Sequence, residues 1–341
     1  MRMLRLIFCC AVALLAVGRV WAQEIPAPVL GPRTIVVAVD GSGDFRSIQE
    51  ALETAKKGDT IRIKAGTYRE DITIHSKDHV KLIGDGIDQV IINGKELVGV
   101  FHIGKWPYGA TNIEVSGMTI NEHGGHAMGI FNGKGIVLRN LKINGMFFGQ
   151  QVQDVRIEDS IIGGSETTGL QFADSQATLI GNVIHDNDHG VTVAGKSDVR
   201  LERNVITHNL FEGVVVMDKA HAVIRNNTIA KNGGGAIFLG TSSSEVSGNV
   251  VGFNKVGFAV APSARVTFSH NALFNSDENY AKTGGLLPEP APELKPDTDL
   301  VVDPQFVDIE HDDFRLQSTS SLTKRGEFAY LGAYPPLAPS R

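Results

Sequence analysis

Cysteine is almost missing. The 341 residues hold two, Cys9 and Cys10, and both lie in one apolar run near the start. That run, "LIFCCAVALLAV", follows a positive "MRMLR" and leads to "VWA" before Gln23, the pattern of a cleavable export signal over residues 1–22. The cysteines sit in mid-run, away from the cleavage site, which argues against a lipid anchor. Without the signal the chain has no thiol, and that excludes disulfide staples, thiolate catalysis and cysteine metal ligands. No later stretch reaches the roughly eighteen apolar residues of a membrane helix, so no membrane insertion is expected and the protein is placed as secreted or periplasmic. Positive charge is scarce too: the net charge is -6, and losing Arg2, Arg5 and Arg19 makes it -9. Nucleic acid and anionic membranes are thereby poor partners. An acidic polysaccharide would need a local basic patch or a bridging cation.

What the chain does have is a repeat. "RNLKI", "GNVIHDN", "RNVITHN", "NNTIAKN", "GNVVGFN" and "HNALFN" align on Asn140, Asn182, Asn204, Asn227, Asn249 and Asn271, with Ser160 filling one step. The spacings are 20, 22, 22, 23, 22 and 22 residues. A second asparagine follows five residues later at Asn187, Asn209, Asn232 and Asn254, then a glycine at 190, 213, 235 or 257, then a short apolar strand. This period, with Val and Ile at alternate positions, predicts an all-β solenoid. Each coil of a parallel β-helix holds three short strands, and the asparagines stack inside its bends. Such asparagines satisfy bend groups that cannot join the strand ladders.

Open solenoid ends need covers. "RSIQEALETAKK" (46–57) is read as an N-terminal capping α-helix, with Ser47 and Glu50 as a capping box and Ile48, Ala51, Leu52 and Ala55 on its apolar face. "GTYRE" (66–70) is read as a coil turn. The proline-rich 284–299 is read as a loop laid over the outside, and "DPQFVDIEHDDFRLQ" as returning strands. The organisation expected is a signal (1–22), a linker (23–33), the β-helix with its cap (34–278), and a C-terminal segment (279–341) packing on the solenoid.

"VVAVDGSGDFRSIQEALETAKKGDTIRIKAGTYRED" and "VKLIGDGIDQVIING" resemble the start of pectin methylesterases and, more broadly, the pectin-lyase-like right-handed parallel β-helix superfamily. "DPQFVD", "DFRLQ" and "LGAY" resemble the tail of secreted bacterial members, with "SSLTK" in place of their usual "SPAID". The resemblance implies a right-handed solenoid of ~22-residue coils and chemistry on polysaccharide. It does not carry the methylesterase site. Gln151 and Gln171 stand where that family has glutamines, but Thr167 and Thr168 occupy the place of its nucleophilic aspartate, and no Arg-Pro-Trp occurs. Methylesterase activity is therefore not expected. The clustered calcium-binding aspartates and catalytic arginine of pectate lyases are not evident either.

The candidate site follows from coil stacking. Asp186, His208 and Lys231 hold the same slot after the bend asparagine and should stack about 5 Å apart, with Glu122, Asn144 and Gly164 in the same column. Glu122 and Asp186 are about 14 Å apart on that count, too far for a glycosidase pair. His189 precedes the strand at Gly190, and His126 is close to the equivalent position. His102, Gln151, Gln171 and Thr192 are expected on the outer face of that strand, with Val191 and Val193 inward. Trp106 and Tyr108 in "GKWPYGATN", and Phe147 and Phe148 in "GMFFGQQ", add aromatic surface. His189, His208, Asp186 and Lys231 are taken as catalytic candidates. Trp106, Tyr108, His102, Gln151, Gln171 and His126 are taken as substrate-binding candidates. A histidine base with a lysine against the carboxylate suits proton abstraction from a uronate, as in a lyase or epimerase. The alternative for such polar turns is a non-enzymatic glycan-binding or envelope accessory module. A monomer without cofactor is expected; without cysteine or a clean His-x-His or His-x-x-x-His pair a dedicated zinc site is not expected, and Ca2+ between acidic turns is the alternative kept.

Overall fold

The computed structural model describes residues 31–95, 99–105, 107–122, 124–284, 288–325 and 327–336. The expected signal and most of the linker lie outside the described residues. Short β-branched runs with period-two burial give each coil three parallel strands. One coil shows the pattern: Gln176–Ile180, Val183–His185, then His189–Ala194. Stacked coils make three faces, called here one, two and three in that order. Faces one and two share long strands and form a single 20-stranded sheet; face three is a separate 11-stranded sheet. The inward Val, Ile, Leu and Phe of all three faces fill one continuous core. Among the described residues no helix is long and apolar enough to cross a membrane.

The bends are held as the repeat suggests. At the corner between faces one and two, Asn204 donates through Nδ2 to Leu179 O at 2.9 Å and to Asn227 Oδ1 at 3.0 Å, while its own Oδ1 accepts from Asn182 N at 3.0 Å. The same bonds recur through Asn227, Asn249 and Asn271. A second ladder, Asn187, Asn209, Asn232 and Asn254, holds the next corner. Glycines follow it for want of space: a Cβ at Gly169 or Gly257 would come 2.7 Å from Nδ2 of Asn187 or Asn275.

Asn140 is not part of the ladder. It lies exposed, at φ +48°, within the unbroken strand Lys134–Asn144, and Leu141 N reaches Ser160 Oγ at 3.1 Å. The ladder therefore begins at Ser160. The same one-residue offset puts Gly145, not Asn144, in the column of Asp186.

The N-terminal cap is the helix Ile48–Thr54, with Ile48, Ala51 and Leu52 buried and Ser47 as N-cap. Its reciprocal acid is not Glu50. Glu70 accepts from Ser47 Oγ at 2.6 Å, Ile48 N at 2.8 Å and Gln49 N at 3.1 Å. "GTYRE" is accordingly a strand, Gly66–Arg69, with Tyr68 buried and its hydroxyl donating to Lys64 O at 2.8 Å. Gln49 then bonds the backbone of Thr73 on the first strand of face three, covering that edge.

The solenoid runs past 278. Glu278–Lys282 is a further strand of face three, Leu300–Val301 pairs with Ala272–Phe274, and Asp299 takes the ladder position by accepting from Asn271 N and Nδ2. The proline-rich stretch caps the end rather than lying outside it: Ala291 is fully buried and Leu294 packs on the core. The last strands fold as two antiparallel pairs. Their Phe306, Phe314, Leu322 and Phe328 cover Val205, Val250 and Ala272 on face two.

Removing a ladder asparagine strands buried groups on two coils. We expect Asn204→Ala to destabilise by about 3 kcal/mol in urea unfolding, and Asn140→Gly by under ~1 kcal/mol. Equal losses would refute the ladder's start at Ser160.

Candidate functional site

Face three presents one outward column, read from strand register: Thr73, His102, Gly129, Phe148, Gln171, Thr192, Val215, Ile237, Ala259 and Ala281. Its first half is polar and aromatic and its second half apolar. His102, Gln171 and Thr192 stand where expected, and Val191 and Val193 are buried. Gln151 does not. It falls beyond its strand at φ +53°, and Phe148 takes the outward place while Phe147 points into the core. Gln151 instead lines a recess of about 290 Å³ with Phe131, Asn132 and Gln150.

Beside that recess two histidines meet. His126, just ahead of the strand Met128–Phe131, lies with its Nε2 2.8 Å from Nε2 of His102. Neither ring would fit if its neighbours carried side chains: a Cβ at Gly99 or Gly129 would come 2.9 Å from His126 Nε2. Phe131 stands 5.8 Å from His102 and 6.2 Å from His126 between ring centroids, and Phe148 stands 6.0 Å from Phe131. Burial holds both imidazoles below the ordinary histidine pKa; His126 adds to this for His102, while Asp71 and Glu122 oppose it. At neutral pH the pair is uncharged, so one Nε2–H donates to the other Nε2. Each ring keeps a second nitrogen for chemistry.

The expected catalytic group is stacked but not joined. Asp186, His208 and Lys231 share one register and one left-handed conformation, at φ 54°, 53° and 58°. Each turns to a different partner. Asp186 Oδ2 holds His185 Nδ1 at 2.7 Å. Lys231 Nζ bonds Asp312 Oδ1 and Ile309 O, both at 2.8 Å, and His208 Nε2 lies 3.6 Å from Asp312 Oδ1. That corner docks the C-terminal hairpin. His189 Nδ1 lies 3.1 Å from Glu212 Oε2, out of line for a full hydrogen bond. It is four strands from His102, about 19 Å along the axis. Tyr108 is exposed in the loop after Phe101–Ile103, and Trp106 lies outside the described residues. Among the described residues no three His, Asp or Glu side chains gather as a metal set.

Phe131, Gly99, Gly129 and Glu212 were not singled out by the repeat. Phe131 was open to discovery, since "GIFNG" places an aromatic on the strand beside His126; the others depend on cross-coil register.

Two family profiles match the chain: "Right handed beta helix region" over residues 108–273 and "Pectinesterase" over residues 34–125. Pectinesterase 2 of Citrus sinensis is 46% identical over 69 residues, 19% of this chain and 13% of that protein. Probable pectinesterase/pectinesterase inhibitor 23 of Arabidopsis thaliana is 29% identical over 206 residues, 54% of this chain and 36% of that protein. The chain thus spans well under half of these relatives. Among solved structures, pectate lyase Pel9A superposes with a TM-score of 0.56 at 15% identity, covering 91% of this chain and 98% of that one. The likeness is one of fold.

The histidine pair makes a pH prediction. Both folded-state pKa values lie below the ordinary 6.5, so below that pH the unfolded chain binds more protons. The contribution of the neutral pair is complete above about pH 6.5 and is lost as the pH falls through the folded values. The urea midpoint should drop between about pH 7.5 and 5.5, and drop less in His102→Gln/His126→Gln. An unchanged slope in the double variant would show that the pair does not titrate this way.

Proposed function

We infer, for a chain of the pectin-lyase-like right-handed parallel β-helix superfamily, that the outer surface of face three binds and acts on a polysaccharide, with His102 and His126 at the reacting point. One observation carries this: two neutral, hydrogen-bonded imidazoles stand on an outward sheet face beside the rings of Phe131 and Phe148. The match to proteins named for pectin supports the substrate class. We assign the substrate as an acidic, uronate-containing glycan and place the protein outside the cytoplasm, secreted or periplasmic.

A neutral imidazole is a competent base near pH 7. When one ring takes a proton at Nδ1, its Nε2–H is already directed at the other ring, which spreads the new charge. Applied to a uronate, the proton beside the carboxylate passes to the imidazole. In a lyase, the electrons of that C–H bond form a double bond and the glycosidic oxygen leaves, taking a proton from water; in an epimerase, a proton from solvent is delivered to the opposite face. Lys105, exposed two residues beyond the strand of His102, is our candidate for balancing the carboxylate. Phe131 and Phe148 offer faces to sugar rings, and Gln150, Gln151 and Gln171 offer amides to hydroxyls.

The second reading is a glycan-binding module without turnover. It is favoured by the pairing itself, because each Nε2 is bonded to the other and to no carboxylate among the described residues.

The assay is incubation with uronans, methyl-esterified pectin and neutral polysaccharides in heavy water, with and without Ca2+. Unsaturated products mark a lyase, deuterium uptake without cleavage an epimerase, and methanol release a methylesterase, which we place last. We expect His126→Gln to cut uronan turnover about 100-fold, and His208→Ala to leave it within about twofold while weakening the Asp312 contact. Binding without any mass change would move the assignment to the module, and turnover intact in both His126→Gln and His102→Gln would remove the pair from the mechanism.

A further inference from the structure

Among the coils whose second bend carries an asparagine from 187 to 254, the repeat is broken once. Two residues separate Asn187 from Gly190, Asn232 from Gly235 and Asn254 from Gly257, but three separate Asn209 from Gly213. The strands stay in register on both sides, with Val191 facing Val214 and Glu212 facing Gly234. The surplus residue is therefore expelled at the corner, leaving Leu210 65% and Phe211 49% exposed. The Phe211 ring stands 5.3 Å from that of His189, and Gly234 N donates to Phe211 O at 3.0 Å. Next to this bulge, on the coils that follow, lies a recess of about 250 Å³, bounded by Glu212, Gly234, Ile237, Lys255, Asp277 and Pro288. A Cβ at Gly234 would come 3.3 Å from Glu212 Cγ, so the glycine keeps room for the carboxylate above the floor.

We propose that this recess binds one uncharged sugar ring, a pyranose with hydroxyls and no carboxylate, in a polysaccharide lying along face three. The assignment rests on the polysaccharide reading above and adds the kind of unit the chain must contain. The volume suits a single ring rather than a length of chain. Glu212 and Asp277 outnumber Lys255, so the recess repels a uronate and attracts hydroxyl donors. The neighbouring His189 lowers the Glu212 pKa further, which favours the carboxylate form and so an acceptor at this place. Gly234, Ile237 and Pro288 present apolar surface to the C–H side of the ring.

The test is calorimetric titration of the whole mature protein with cellotetraose, mannotetraose and β-1,4-galactotetraose, and with tetragalacturonate and tetramannuronate. Gly234→Leu fills the recess at an ordinary backbone conformation, and Glu212→Gln removes the charge at constant volume. We expect at least one neutral tetrasaccharide to bind and to be weakened tenfold or more by both variants. Uronate binding should be unchanged in Gly234→Leu. If Gly234→Leu unfolds at a lower temperature than the parent, Glu212→Gln alone decides. Failure of every neutral tetrasaccharide to bind, neutral binding that survives both variants, or selective loss of uronate binding in Gly234→Leu overturns the assignment. Neutral binding that needs Glu212 alongside a blank uronan assay would sink the acidic-glycan chemistry and leave this site standing; uronan turnover without neutral binding would do the reverse.

Discussion

Every coil of this protein must turn three corners, and at each corner backbone N–H and C=O groups leave the strand ladders while remaining buried. Leaving such a group unpaired costs about 1–3 kcal/mol, and the cost would recur in each coil. At two of the three corners, from the coil of Ser160 onward, the asparagine columns remove it. One Oδ1 accepts the N–H of the previous bend, and one Nδ2 donates to a carbonyl of the previous coil. Because each amide serves its neighbour, the period is set by the ladder and not by the strands alone. Asp299 closes it with two carboxylate oxygens that accept from Asn271, and Tyr280 donates its hydroxyl to the same carboxylate.

A backbone so constrained leaves the outward positions free to vary, and the surface divides accordingly. Face two is covered by the C-terminal hairpins, which spend apolar residues and the Lys231–Asp312 contact on docking. Face three carries the histidine pair in its first half and the recess beside Glu212 in its second. Its column changes from His102, Phe148 and Gln171 to Val215, Ile237 and Ala259 without any change in strand register. Chemistry and packing thus occupy the same sheet by choice of side chain alone.

The legible part of the structure was the part with a period. Asn182, Asn204, Asn227, Asn249 and Asn271 could be placed because five identical side chains recur in one environment. Asn140 misled for a physical reason: an asparagine tolerates the left-handed kink inside the strand Lys134–Asn144, so the same residue type serves a second purpose one position early. That single offset carried through to Asn144. Gln151 failed similarly, since a short strand ending at Gln150 exchanged the outward place for Phe148. Glu70 and Asp312 were beyond reach of local pattern, because each acts on a residue far away in the chain.

Function in a repeat protein has to come from departures from the repeat. The two departures on face three are of opposite kinds. At Gly99 and Gly129 side chains are withheld, and the space lets His102 and His126 approach to hydrogen-bond distance, which two solvated imidazoles would not hold unaided. At Leu210 and Phe211 a residue is added, and the ladder on either side is stiff enough to push it outward and not shift the register. Because the asparagine ladders hold the coils on either side of Leu210 and Phe211, the extra residue stays confined to its own coil and is turned outward.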